Sequence, residues 1–227
     1  MRDDEWPLIP ELPDLPGVPA TGAGMAGREP LSEALGRRLF EQRVVLLHGP
    51  LDDLSVTRAS AELITLDADG DDPVTLRVDS GEGGLAPALT LMDVVELMGV
   101  PVRALCLGHV GVGAVGVVAV CARRAALPNT RFALREPASG APSPVHVRNV
   151  AQWAALRADE RDRFCDRVAA AAGRRFDEVR DDLVRGRYLG AGDAVSYGLI
   201  DEVVRPGADI KKLPDPPSQP MGFRPLR

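Results

Sequence analysis

The segment from Cys106 to Cys121, Cys-Leu-Gly-His-Val-Gly-Val-Gly-Ala-Val-Gly-Val-Val-Ala-Val-Cys, constrains the fold of this chain more than any other. It carries no acidic or basic residue except His109, and it reads as a buried strand, a glycine-rich turn and an apolar helix. Upstream, Val44–His48 and Val74–Val78 read as strands around a helix from about Leu54 to Leu66, Leu85 to Met98 reads as a second helix, and Val102 to Leu107 as a third strand. Strands that alternate with helices need crossover connections, so the expected class is α/β with a largely parallel sheet.

From Val145 to Ala172 the pattern becomes strongly helical. Val147, Val150, Ala151, Trp153, Ala154 and Leu156 give one apolar face, a charged run follows from Arg157 to Arg163, and Gly173 suits a C-terminal cap. Before residue 31 the chain holds Pro7, Pro10, Pro13, Pro16, Pro19 and Pro30, a spacing that favours an extended or disordered arm over a helix. Trp6, Leu8, Ile9, Leu12, Leu15 and Val18 punctuate those prolines. The expected organisation is an arm at 1–30, a folded domain at 31–205 containing the long helix at about 145–172, and a proline-rich tail at 206–227.

Composition narrows the function. The net charge is −6, with the arginines interleaved among acids, so no phosphate-binding surface and no nucleic-acid partner is expected. The longest apolar run, Val110 to Ala122, falls short of the ~20 residues that span a bilayer. No apolar signal core follows the Met-Arg-Asp-Asp-Glu start, so a cytoplasmic, membrane-free protein is expected. The three cysteines have apolar contexts and read as free thiols in a reducing compartment. His48, His109 and His146 are far apart, and neither a Cys-x-x-Cys pair nor a His-Glu-x-x-His run occurs, so no metal and no cofactor is expected.

Five segments resemble, in order, the proteolytic subunit of Clp protease, a serine peptidase family. They are Arg37–Asp53 with its Gly-Pro-Leu-Asp-Asp turn, Val78-Asp-Ser-Gly-Glu-Gly-Gly84, Gly108-His-Val-Gly-Val-Gly-Ala114, Leu127-Pro-Asn-Thr-Arg131, and Arg185-Gly-Arg-Tyr-Leu-Gly-Ala-Gly-Asp-Ala-Val-Ser-Tyr-Gly-Leu-Ile-Asp201. The likeness runs from about Leu31 to Val204, with a two-residue deletion between Val112 and Leu127. It implies a crotonase-like spiral of β-β-α units, with the 145–172 helix as a protruding handle that interdigitates with a facing ring.

The same resemblance implies a Ser-His-Asp triad, and this chain departs from it at each position. The serine position falls on Val112, or on Gly111 if the frame slides by one. The histidine position falls on Arg135 and the aspartate position on Gly186. Of the oxyanion-type backbone positions, the first glycine of the family pair becomes Glu82, and Gly113 follows Val112. Acyl transfer by serine needs a hydroxyl bonded to an imidazole that a carboxylate orients. Valine cannot attack a carbonyl, and a permanently protonated arginine cannot accept a proton.

Among the residues nearby, Cys106, Cys121 and His109 are the reactive types, and Cys106 in an apolar strand is expected to act as a small buried hydrophobe. His109 stands at the family's glutamine position, facing either chamber or solvent. The leading expectation is therefore a non-catalytic subunit of an oligomeric ring, homomeric or mixed with Clp-protease-like paralogues. The alternatives are a peptidase with a relocated nucleophile, or an acyl-CoA enzyme of the same superfold that uses Glu82 or Glu136. Glu136 adjoins Arg135, the arginine expected to pair with it. The resemblance also implies surface pockets for an ATP-driven unfoldase, but Thr75 and Arg77 replace their tyrosines, so only indirect association is expected. The arm at 1–30 either lines an axial pore or is a disordered tail.

Overall fold

The computed structural model describes residues 31–137 and 150–204. The arm at 1–30, the tail at 206–227, residues 145–149 of the expected long helix and His146 lie outside the described residues. Two units separate, Met1–Arg37 and Arg38–Arg227, and the first is described only where helix α1 (Leu31–Glu41) begins.

The second unit is built on a mostly parallel sheet. Its strands are β1 (Val44–His48), β2 (Val74–Ser80), β3 (Val102–Val110), β4 (Arg123–Ala126) and β7 (Glu202–Val203), all parallel and in the spatial order β1-β2-β3-β4-β7. Strand β5 (Arg131–Leu134) runs parallel beside the end of β3 and pairs antiparallel with β6 (Arg187–Gly190). Between the strands lie α2 (Asp53–Ala68), α3 (Leu85–Leu97) and α4 (Val112–Ala119), and later α5 (Val150–Ala172), α6 (Phe176–Arg185) and α7 (Ala191–Tyr197). Alternation in β2 shows why the sheet has one core face: Val74, Leu76, Val78 and Ser80 are buried, while Thr75, Arg77 and Asp79 point the other way.

Local chemistry fixes the boundaries. Helix α2 opens on a capping box, in which the Asp52 carboxylate accepts from the Ser55 N–H at 2.9 Å and the Ser55 hydroxyl accepts from the Asp52 N–H at 2.9 Å. Its last turn is closed by Arg43, which donates to the carbonyls of Leu66 and Gly70. Strand β3 continues past Leu107 to Val110, because the register shifts between Val78 and Ser80 and brings Val110 opposite both Ser80 and Phe132. Gly108 breaks the apolar alternation, and that break hides the continuation in the sequence.

Helix α4 is buried along its whole length and packs against its neighbours through small residues. Phe164 and Met92, both fully buried, close on Gly116 from α5 and α3. Burying such side chains stabilises by roughly 1.5–3 kcal/mol each. Helix α5 is two things in one: its C-terminal half buries Phe164, Cys165, Val168 and Ala169, and its N-terminal half projects. Val150 is 55% and Leu156 56% exposed, so among the described residues these two members of the expected apolar face are largely uncovered. After Gly173 the chain turns, with the Arg174 N–H donating back to the Ala169 carbonyl at 3.0 Å.

Polar anchors join α5, α6, β6 and α7. The Tyr197 hydroxyl donates to Asp182 at 2.9 Å, and the Arg174 and Arg187 guanidinium groups stack on its ring at 3.9 and 5.1 Å. Arg187 also donates to both oxygens of Asp182. Burial first, and the Asp182 bond second, raise the Tyr197 pKa, so this phenol stays a donor. Arg124 donates to Asp201 and to the carbonyls of Ala171 and Gly198, tying β4 to the chain on either side of α7.

All three cysteines are buried free thiols. Burial pushes Cys165 up to about 11 and Cys121 up to about 12, and it raises Cys106 as well.

Two outcomes are expected. Gly198 has φ +93, and a Cβ there would lie 2.4 Å from the Ala172 carbonyl oxygen, so Gly198→Ala should lower stability by about 1–3 kcal/mol in urea unfolding. Above pH 9 the unfolded chain loses thiol protons that the folded chain keeps. Stability is therefore full below that pH and should fall as pH rises toward 11, by roughly 1.4 kcal/mol per pH unit per buried thiol. Cys121→Ala should flatten that slope, which urea titrations at pH 8, 9 and 10 would measure.

Candidate active site

Parallel strands that end on one edge of a sheet leave a crevice beyond their carboxyl ends. Here β1 leads to His48 and Gly49, β2 to Ser80–Gly84, and β3 to His109–Gly111. The last two are pressed together. The Gly111 N–H donates to the Ser80 carbonyl at 2.7 Å, and a Cβ at Gly111 would stand 2.2 Å from the Gly81 carbonyl oxygen. Only glycine allows that approach. From this contact α4 starts, with Gly111 at its N-cap and no side chain capping the first turn.

Val112 therefore opens α4 and is buried, with Gly113 next to it and Leu51 and the Gly84 carbonyl against that glycine. Glu82 is exposed on the facing turn, and its carbonyl accepts from the Leu51 N–H at 2.8 Å and from the Ser80 hydroxyl at 3.3 Å. A Cβ on Gly111 would lie 3.3 Å from the Glu82 nitrogen. Val112 and Gly113, distant in sequence from Glu82, thus share one crevice wall with it.

Arg135 and Gly186 meet in the same way. Arg135 follows β5 and is exposed; Gly186 ends α6 with φ +76. Pairing of Leu134 with Arg187, and the Glu136 N–H donating to the Leu183 carbonyl at 3.2 Å, bring the two together. A Cβ on Gly186 would touch the Arg135 Cγ at 3.5 Å. Glu136 does not pair with Arg135. Its partner is Arg161 on α5, at 3.3 Å, because successive residues leaving β5 point to opposite sides and Glu136 faces the long helix. That pair is exposed and contributes little.

The remaining reactive groups are occupied or inert. His109 is exposed beside Gly81, with its backbone N–H bonded to the Asp79 carboxylate at 3.0 Å. The other carboxylate oxygen of Asp79 lies 3.4 Å from His48 Nδ1. Sequence reasoning missed this histidine–carboxylate pair; the signal was available, since His48 and Asp79 end adjacent strands in register. It also passed over two buried hydroxyls. Ser80 donates to the Glu82 carbonyl and Thr130 to the Cys106 carbonyl at 3.0 Å. Among the described residues no serine, threonine or cysteine side chain is hydrogen-bonded to a histidine. The thiols are shielded, and their raised pKa values keep them protonated near neutral pH. Among the described residues no cluster of His, Cys, Asp and Glu has metal-ligand geometry. No described helix is long and apolar enough to cross a membrane.

Comparison with known proteins agrees with this arrangement. Residues 28–207 match the Clp protease family. An ATP-dependent Clp protease proteolytic subunit 2 from Thermobifida fusca is 28% identical over 191 residues, covering 80% of this chain and 90% of the relative. A proteolytic subunit 1 from Corynebacterium diphtheriae is 30% identical over 185 residues, with 78% and 83% covered. A solved ClpP1 variant from Listeria monocytogenes superimposes with a TM-score of 0.66 at 22% identity, covering 75% of this chain and 95% of that one. The α/β fold with its parallel sheet is shared with that structure, and this chain belongs to the Clp protease family.

Proposed function

We propose that this chain is a non-catalytic subunit of a Clp-type proteolytic ring, which contributes wall and interface but no nucleophile. The observation that carries the reading is Val112 at the opening of α4, where acyl transfer would need a hydroxyl beside an imidazole. Arg135 and Gly186, neighbours at the positions that align with the family's histidine and aspartate, supply neither a general base nor a carboxylate to orient one. What the crevice retains is an uncapped helix turn and the Glu82–Gly83 backbone. Donors alone give a residual of roughly 10³–10⁴ over water when a triad is removed.

The projecting half of α5 supports the assembly part of the reading. Val150 and Leu156 are exposed on a helix whose other half is anchored through Phe164 and through the ion pair of Arg167 with Asp93. An exposed apolar stripe on a fixed helix gains stability by meeting another chain. We propose that the partner is a second copy or a paralogous Clp proteolytic subunit, in the cytoplasm, and that any unfoldase is engaged through that partner. On β2, Thr75 and Arg77 offer a short hydroxyl and a cation where an apolar loop would need apolar walls.

Two measurements test this. The purified chain should neither label with a fluorophosphonate probe nor hydrolyse short fluorogenic peptides; labelling abolished by changing one serine would overturn the loss of catalysis. Native mass measurement of the chain alone, and after co-expression with a paralogous subunit, should give an oligomer in at least one case. Leu156→Glu should reduce that mass. A monomer of 24.2 kDa in both preparations would remove the ring role.

A further inference from the structure

Strands β5 and β6 form an antiparallel pair whose two faces are unlike. Phe132, Leu134 and Leu189 turn into the core. On the other face Arg131 stands opposite Gly190, Ala133 opposite Tyr188, and Arg135, one step beyond the ladder, beside Gly186. The two glycines make room for the arginines. A Cβ on Gly190 would lie 3.1 Å from Arg131 Nη1, and one on Gly186 would lie 3.5 Å from Arg135 Cγ. Both cationic arms therefore rest over β6, and Tyr188, 66% exposed, stands between them.

Every other described arginine from Arg123 to Arg187 is ion-paired with a carboxylate, whereas among the described residues Arg131 and Arg135 belong to no ion pair. The acids adjoining this hairpin are engaged elsewhere: Glu136 with Arg161, and Asp182 with Arg187 and Tyr197. Asp193, on α7, comes within 3.7 Å of the Gly190 Cβ position but is not ion-paired with Arg131. Residues 138–149, next in the chain, contain no Asp or Glu. Two like charges held on one face without a counter-charge attract an anion. Four residues of strand put about 13 Å between the two arginine Cα atoms, and the arms rest over glycines equally far apart, so a single phosphate or carboxylate does not bridge them. An extended peptide does, because its alternate side chains share a face. A carboxylate, an apolar residue and a second carboxylate, each two positions apart, match Arg135, Tyr188 and Arg131 in turn.

We infer that the outer face of β5 and β6 binds extended acidic peptide segments, with Arg131 and Arg135 gripping two carboxylates and Tyr188 supporting the residue between them. This rests on the proposed function only in that the bound segment leaves uncleaved. The test uses the full-length chain and a peptide built on Glu-Ser-Leu-Ser-Glu, capped at both ends and carrying an uncharged fluorophore, with anisotropy read at low salt. Arg131→Gln and Arg135→Gln should each weaken binding roughly threefold to fivefold, as loss of an exposed charge pair does, and the double variant by about tenfold or more. Arg163→Gln, which removes the same charge from an exposed site on α5, should change nothing, and the isomer Glu-Glu-Leu-Ser-Ser should bind more weakly. Equal binding of the two isomers, or an equal loss in Arg163→Gln, marks diffuse attraction to a charged surface and would overturn the inference, as would no binding at all. The peptide's mass after incubation keeps the two readings apart. Cleavage would overturn the non-catalytic function and leave the binding face standing, whereas a peptide that stays intact and unbound would overturn the binding face alone.

Discussion

One backbone contact organises this molecule: the Gly111 amide resting on the Ser80 carbonyl. It forces the end of β3 against the β2–α3 turn with no room for a side chain, and it sets where α4 begins. From there α4 runs inward, and its buried surface recruits α3 and α5. The crevice is thus a by-product of core packing. Its walls persist whatever residues line them, because the forces that hold them are glycine sterics and main-chain hydrogen bonds.

A similar separation between scaffold and exposed side chains holds at the turn where Arg135 meets Gly186. The turn at Gly186 is held by bonds that do not involve the crevice at all: Asp182 with Tyr197 and Arg187, and Arg174 with the Tyr197 ring and carbonyl. Arg124 adds a further clamp through Asp201. Such a structure tolerates exchange of Arg135 or Glu82, both exposed, at small cost in stability.

Much of the fold was legible from periodicity. The core face of β2, the apolar α4 and the long α5 follow from alternation, from an unbroken apolar run and from a 3.6-residue stripe. What escaped were features set by distant partners. The extension of β3 through Gly108 depends on Ser80 and Phe132. The pairing of Glu136 with Arg161 depends on which side of the chain α5 occupies, and adjacency in sequence pointed to the wrong arginine. Of the positions singled out by the aligned segments, only the fold shows that Arg135 and Gly186 are neighbours. The His48–Asp79 pair went unseen because it joins two strand ends through register and not through spacing.

The packing of Arg135 on Gly186 has a historical consequence. On the proposed reading, a carboxylate regained at 186 would meet a guanidinium, form an ion pair and orient nothing, while an imidazole regained at 135 would find no carboxylate. Neither single step confers an advantage for selection to keep. On that reading the change acts as a ratchet: with both neighbours altered, reversion requires coincident mutations, which leaves such a lineage free to specialise in architecture.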